Sequence, residues 1–123
     1  RSCDRFYPAM QPDPISDAEY HQRAGAALAH VESTLDRWLQ DDVIDIDSQR
    51  TGGLLELSFP GGSKIVLNTQ PPLHELWLAA RAGGYHFRWA DGAWRDTRDG
   101  TEFFARLSRE ASAQAGKALD FSS

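Results

Sequence analysis

The hydrophobic period of this chain changes twice, and that double change restricts the fold more than any other feature. Tyr20, Ala24, Ala27, Leu28, Val31, Leu35 and Trp38 recur at spacings of three and four, the stripe of an amphipathic helix. From Val43 the period falls to two: Ile44 and Ile46 alternate with Asp45 and Asp47, then Leu55, Leu57 and Phe59 with Glu56 and Ser58. That alternation reads as half-buried strands. Helical spacing returns at Phe103, Phe104, Leu107 and Ala111. The order is helix, about six strands, helix, with no alternating βαβ unit, which predicts an α+β two-layer sandwich. Its N- and C-terminal helices pack together on one face of an antiparallel sheet.

Local signals place the boundaries. Ser16 with Glu19 forms a capping box, and Ile15 with Tyr20 a hydrophobic staple, so a helix begins near Asp17 and runs to about residue 39. Gly52-Gly53 and Pro60-Gly61-Gly62 supply turns, and Asp91-Gly92 marks a short hairpin between Tyr85–Trp89 and Ala93–Arg95. Ser63–Thr69 and Leu73–Ala80 fill the space between. The second is apolar on both faces, Leu76 and Leu78 on one and Trp77 and Ala79 on the other, as a central strand would be. Asp99 with Glu102 reads as a second capping box, the last helix stops near Gly116, and the tail from Ala118 to Phe121 is placed to fold back.

At 123 residues, with a 41% hydrophobic content, the chain suits a single domain with its own core, expected over residues 15–123. Residues 1–14 show no period and read as a disordered leader or as residues foreign to the native chain, with Met10 a candidate start. A formal charge of −5 argues against nonspecific nucleic-acid binding and for a cationic partner or a metal ion. Cys3 is the single cysteine, so neither a disulfide framework nor a thiolate metal site forms within one chain, and a reducing, cytoplasmic setting is expected. No apolar run approaches a membrane span.

Two constellations stand out. Glu32, Asp36, Asp41, Asp42, Asp45 and Asp47 line the end of the first helix and the start of the first strand. Acids in a last helical turn oppose the macrodipole, so stability alone does not explain Asp41 and Asp42. Such oxygen-only ligands suit hard cations held weakly on an open surface, and a merely solvated acidic face is the plain alternative. On the sheet, if Ile65 and Leu67 point to the helices, then Lys64, Val66, Asn68 and Gln70 point away and share that outer face with Trp77. An exposed Trp beside amides suits protein recognition, and a Trp77 that merely covers part of an uncovered sheet face is the plain alternative. His21, His30, His74 and His86 have no paired metal spacing and read as ordinary surface, and Arg81, Arg88, Arg95, Arg98, Arg106 and Arg109 as charges balancing nearby acids, with a local positive patch the alternative. Nucleophile, P-loop and dinucleotide motifs are absent.

The run Gly62-Ser63-Lys64-Ile65-Val66-Leu67-Asn68-Thr69-Gln70-Pro71-Pro72-Leu73-His74-Glu75-Leu76-Trp77-Leu78-Ala79, followed by Gly83-Gly84-Tyr85-His86-Phe87, then Trp94, Asp96 and Asp99-Gly100, resembles the frataxin family in its bacterial CyaY branch. The resemblance spans residues 16–121 and implies an iron-binding protein that regulates iron–sulfur cluster assembly. Such a protein docks on the cysteine desulfurase and the scaffold protein as iron donor or rate modulator. It implies that the six carboxylates hold Fe²⁺ or Fe³⁺ weakly and dock on a basic patch of the desulfurase, and that Asn68, Gln70 and Trp77 face the scaffold and desulfurase. A monomer, without nucleic-acid or membrane partners, is expected. Ser33, Arg37 and Leu39 stand where relatives often carry further acids, and Arg37 is placed to pair with a neighbouring carboxylate, so fewer or weaker iron sites are expected. Ferroxidase or iron-storage activity at the ridge is the alternative, although no Glu-x-x-His pair of the di-iron type is visible. An acidic decoy mimicking nucleic acid ranks last.

Overall fold

Ser16 accepts a hydrogen bond from the Glu19 N–H at 3.1 Å and thereby starts α1 (Asp17–Gln40). The second half of the expected capping box does not form, because the Glu19 carboxylate turns to Arg23 instead. The computed structural model describes residues 14–122; the leader with Cys3 and Met10 lies outside them, apart from Pro14. Beyond α1 come β1 (Asp47–Thr51), β2 (Leu54–Ser58), β3 (Lys64–Gln70), one 3-10 turn (Pro71–Leu73), β4 (Glu75–Ala80), β5 (Gly83–Ala90), β6 (Ala93–Asp96) and α2 (Phe103–Ala115). The strands form one antiparallel meander in the order β1-β2-β3-β4-β5-β6. As expected, β4 is an inner strand. At the β5–β6 turn Asp91 and Gly92 both have positive φ, 52° and 73°, the type I′ geometry that suits the twist of a tight hairpin.

One core joins both helices to one face of the sheet. Tyr20, Leu28, Val31 and Leu35 of α1 and Phe103, Leu107 and Ala111 of α2 bury against Leu55, Leu57, Ile65, Leu67, Leu76, Leu78 and Phe87. The tail does fold back. Ser108 Oγ accepts from the Phe121 N–H at 2.8 Å, Ser112 Oγ from the Leu119 N–H at 2.9 Å, and His30 Nε2 donates to the Phe121 carbonyl at 2.7 Å. Phe121 then packs on Trp38 and is fully buried.

Two expectations fail locally. The alternation from Val43 is not a paired strand until Asp47, and all five β1 residues are exposed. Ile46 buries and Ile44 half-buries while Asp45 and Asp47 stay outside, so the period records an extended connection crossing the core margin, followed by a strand that among the described residues is an edge paired to β2 alone. At α2 the N-cap is Glu102, whose carboxylate accepts from the Phe104 and Ala105 N–H groups at 2.9 and 3.0 Å. Asp99 instead accepts from the Thr101 N–H and pairs with Arg106 at 3.1 Å. A carboxylate at the helix N-terminus also meets the positive end of the dipole, which favours Glu102 there.

Tyr20 ties the layers together. Its hydroxyl donates to the Glu75 carbonyl at 2.7 Å and accepts from the Gln70 N–H at 3.0 Å, bridging the two ends of the β3–β4 connection from α1. Burial raises its pKa, the Gln70 N–H opposes that, and the Glu75 charge adds to it. Because the folded state holds this proton more tightly than the unfolded chain, stability falls once pH rises above the unfolded value of about 10. Tyr20→Phe is expected to lose about 1–3 kcal/mol in urea unfolding, since it strands one backbone donor and one acceptor. It should also lessen the alkaline slope, and an unchanged midpoint would refute the clamp.

Candidate functional site

The acidic ridge is built on the way α1 stops. Asp41 is the C-cap, Asp42 follows with φ 58°, the Asp42 N–H reaches the Leu39 carbonyl at 3.3 Å, and the Val43 N–H reaches the Trp38 carbonyl at 2.8 Å. These are the paired bonds of a Schellman ending, with Asp where glycine is the usual left-handed residue. Val43 is half-buried against the core, and Lys117 Nζ donates to its carbonyl at 2.6 Å, fixing the turn from the α2 side. Asp36, Asp41, Asp42, Asp45 and Asp47 are all exposed.

Glu32 is half-buried and bound to Arg50 of β1 at 2.8 Å. The pairing expected of Arg37 is therefore made by Arg50, which β1 carries back beside α1; among the described residues Arg37 makes no ion pair. Sequence could not show this, because the partners are 18 residues apart and meet only through the α1–β1 turn. Among the described residues no three His, Cys, Asp or Glu side chains converge as a metal cage. The ridge is a line of separate carboxylates, able to attract cations and to hold a hard ion through few protein oxygens at a time.

The outer face of the sheet is more ordered than its sequence implied. Strand register lays Leu54, Asn68, Trp77 and His86 in one row across β2 to β5, and Gln70, Glu75, Arg88 and Arg95 in the next across β3 to β6. Asn68 and Trp77 are thus direct cross-strand neighbours, with Gln70 one row away. The Trp77 ring stacks on His86, centroids 4.2 Å apart and planes within 8°. Its indole N–H donates to Glu75 Oε1 at 2.7 Å, Arg88 Nε donates to Glu75 Oε2 at 2.8 Å, and His86 Nδ1 lies 3.8 Å from Oε1. Glu75 was not singled out from sequence, where His86 read as ordinary surface and Arg88 as one of several charges balancing nearby acids. The available signal was Glu75 itself, a charge at an outward position two residues before Trp77 on an inner strand.

The histidines are less ordinary than they read. His74 stacks on Tyr20 at 4.9 Å and its Nε2 donates to Asp17 at 2.6 Å, while His30 holds the tail. Arg88, Arg98 and Arg106 pair with Glu75, Asp96 and Asp99, as charge balance required.

Residues 13–117 match the family model for the frataxin-like domain. The chain belongs to the frataxin-like family. The iron-sulfur cluster assembly protein CyaY of Variovorax paradoxus is 53% identical over 107 residues, covering 87% of this chain and 97% of that protein. Frataxin from Psychromonas ingrahamii superposes with a TM-score of 0.77 at 32% identity, covering 89% of this chain and all of the other. Trimeric frataxin from the yeast Saccharomyces cerevisiae, complexed with ferrous iron, gives 0.65 at 25% identity over 87% and 92% of the two chains. In this frataxin-like fold the ridge and the Trp77 face are separate surfaces: three strand spacings, about 14 Å, lie between β1 and β4.

Asp42 in the left-handed region costs more than glycine would. Asp42→Gly is expected to raise unfolding stability by about 1 kcal/mol in urea titration; a loss would mean that the carboxylate itself supports the turn.

Proposed function

We propose that this chain serves iron–sulfur cluster assembly by docking on the cysteine desulfurase and scaffold complex, carrying iron weakly as donor or rate modulator. The observation that carries this reading is its 53% identity, over nearly the whole length of the relative, to a protein named for that role. The two surfaces supply the chemistry. The exposed carboxylates Asp36, Asp41, Asp42, Asp45 and Asp47 offer a negative field to a basic patch. Trp77, flanked by Asn68 and Gln70, offers an aromatic anchor with directional amides. Yeast frataxin complexed with ferrous iron supports iron as the cargo. Glu32, Asp36, Asp41, Asp42, Asp45 and Asp47 are the ligands in this reading, and their open spacing supports weak binding.

Ferroxidase or storage chemistry would need carboxylates converging on paired iron ions, and no observation at the ridge favours it over transport. The reading takes the chain as a cytoplasmic monomer, in keeping with its single cysteine. No helix among the described residues is long and apolar enough to cross a membrane.

A reconstituted cluster-assembly assay with the native desulfurase and scaffold tests the role: the rate should change on adding this protein, and an unchanged rate would sink it. In the same system the double substitution Asp41→Asn, Asp42→Asn should weaken binding by about tenfold at low salt and by much less at high salt. Indifference to both charge and salt would count against an electrostatic dock. Anaerobic Fe²⁺ titration followed by NMR should show weak, fast-exchanging shifts along Glu32–Asp47, and several tight sites there would contradict the ligand reading.

A further inference from the structure

Glu75 lies on the open face of the sheet, yet its side chain is only 8% exposed. A buried carboxylate costs stability unless it is paired and hydrogen-bonded, and a well-packed apolar residue often serves stability equally well. Here each oxygen has a charged or polar donor: Oε1 takes the Trp77 indole N–H and Oε2 takes Arg88 Nε. Arg88 in turn faces Arg95 directly across β5 and β6, a like-charge pair that a neighbouring carboxylate relieves. Arg95 is occupied otherwise, donating to the Ala90 and Gly100 carbonyls. Trp77 is held on its second side by the His86 stack. Trp77 is half-buried rather than fully exposed, with its ring plane set by His86 and its N–H direction set by Glu75.

We propose that Glu75 is a positioning residue that locks the Trp77 indole and the Arg88 guanidinium into one pre-ordered platform. The guanidinium engages Glu75 through Nε, and among the described residues its Nη groups have no hydrogen-bond partner, which leaves them to face a partner surface that presents carboxylate or carbonyl oxygens. The molecule then shows two faces of opposite demand, the ridge seeking cations and the platform seeking acceptors. Ordering the anchor before contact removes an entropy cost from binding, which is how a side chain that need not touch the partner affects affinity. This rests on the reading of the Trp77 face as a dock.

The test combines the free protein with the complex. In wild-type protein the Trp77 indole ¹H–¹⁵N signal, assigned with Trp77→Phe, should be protected from solvent exchange. Glu75→Gln keeps an acceptor for the indole and should retain that protection, whereas Glu75→Leu should lose it with the rest of the spectrum unchanged. Binding to the desulfurase–scaffold complex should fall about threefold to tenfold in Glu75→Leu and be largely rescued in Glu75→Gln. An indole that exchanges freely in the wild type overturns the proposal without need of any variant. So does wild-type affinity in Glu75→Leu when Trp77→Ala abolishes binding. Wild-type affinity in Trp77→Ala instead removes the sheet face as a dock, a different failure from that of Glu75.

Discussion

A six-stranded sheet that the described residues cover on one face only is the constraint from which the rest of this structure follows. The central inward positions on β2 to β5 are apolar, because α1 and α2 close that side: Leu55, Leu57, Ile65, Leu67, Leu76, Leu78 and Phe87 are essentially inaccessible. Among the described residues no second layer covers the outward positions, and their side chains satisfy one another across the strands, as Glu75, Trp77, His86 and Arg88 do. Tyr20 is the point at which the covered layer reaches the open one, because its hydroxyl holds the backbone of Gln70 and Glu75, two residues of the outer row.

Both surfaces carry features that stability alone would not select. At the ridge, acids occupy a helix end whose partial charge is negative, and Asp42 takes a left-handed conformation that glycine adopts more cheaply. On the open face, a carboxylate is buried between an indole and a guanidinium. These two places lie about 14 Å apart laterally, and the fold tolerates both because the core between them is continuous from Trp38 to Phe103.

Much of the fold was legible along the chain. Periods of 3.6 and 2 located both helices and most strands, Asp91-Gly92 named its hairpin, and the apolar β4 named itself an inner strand. What failed was local competition between groups that each looked suitable. Asp99 and Glu102 both precede α2, and only the positions of Thr101 and Arg106 decide that Glu102 caps while Asp99 does not. Val43 to Ile46 alternates like a strand, but a Schellman ending sends it across the core margin before pairing begins.

Sequence by itself determined the layers, the acidic line from Glu32 to Asp47 and the shared face of Asn68, Gln70 and Trp77, because periodicity and alternation are properties of neighbours in the chain. The tertiary structure alone decided that Arg50 and not Arg37 meets Glu32, and that Glu75 binds both Trp77 and Arg88. Those contacts depend on strand register and on the path of a turn, which set distances between residues far apart in sequence and leave no trace in local pattern.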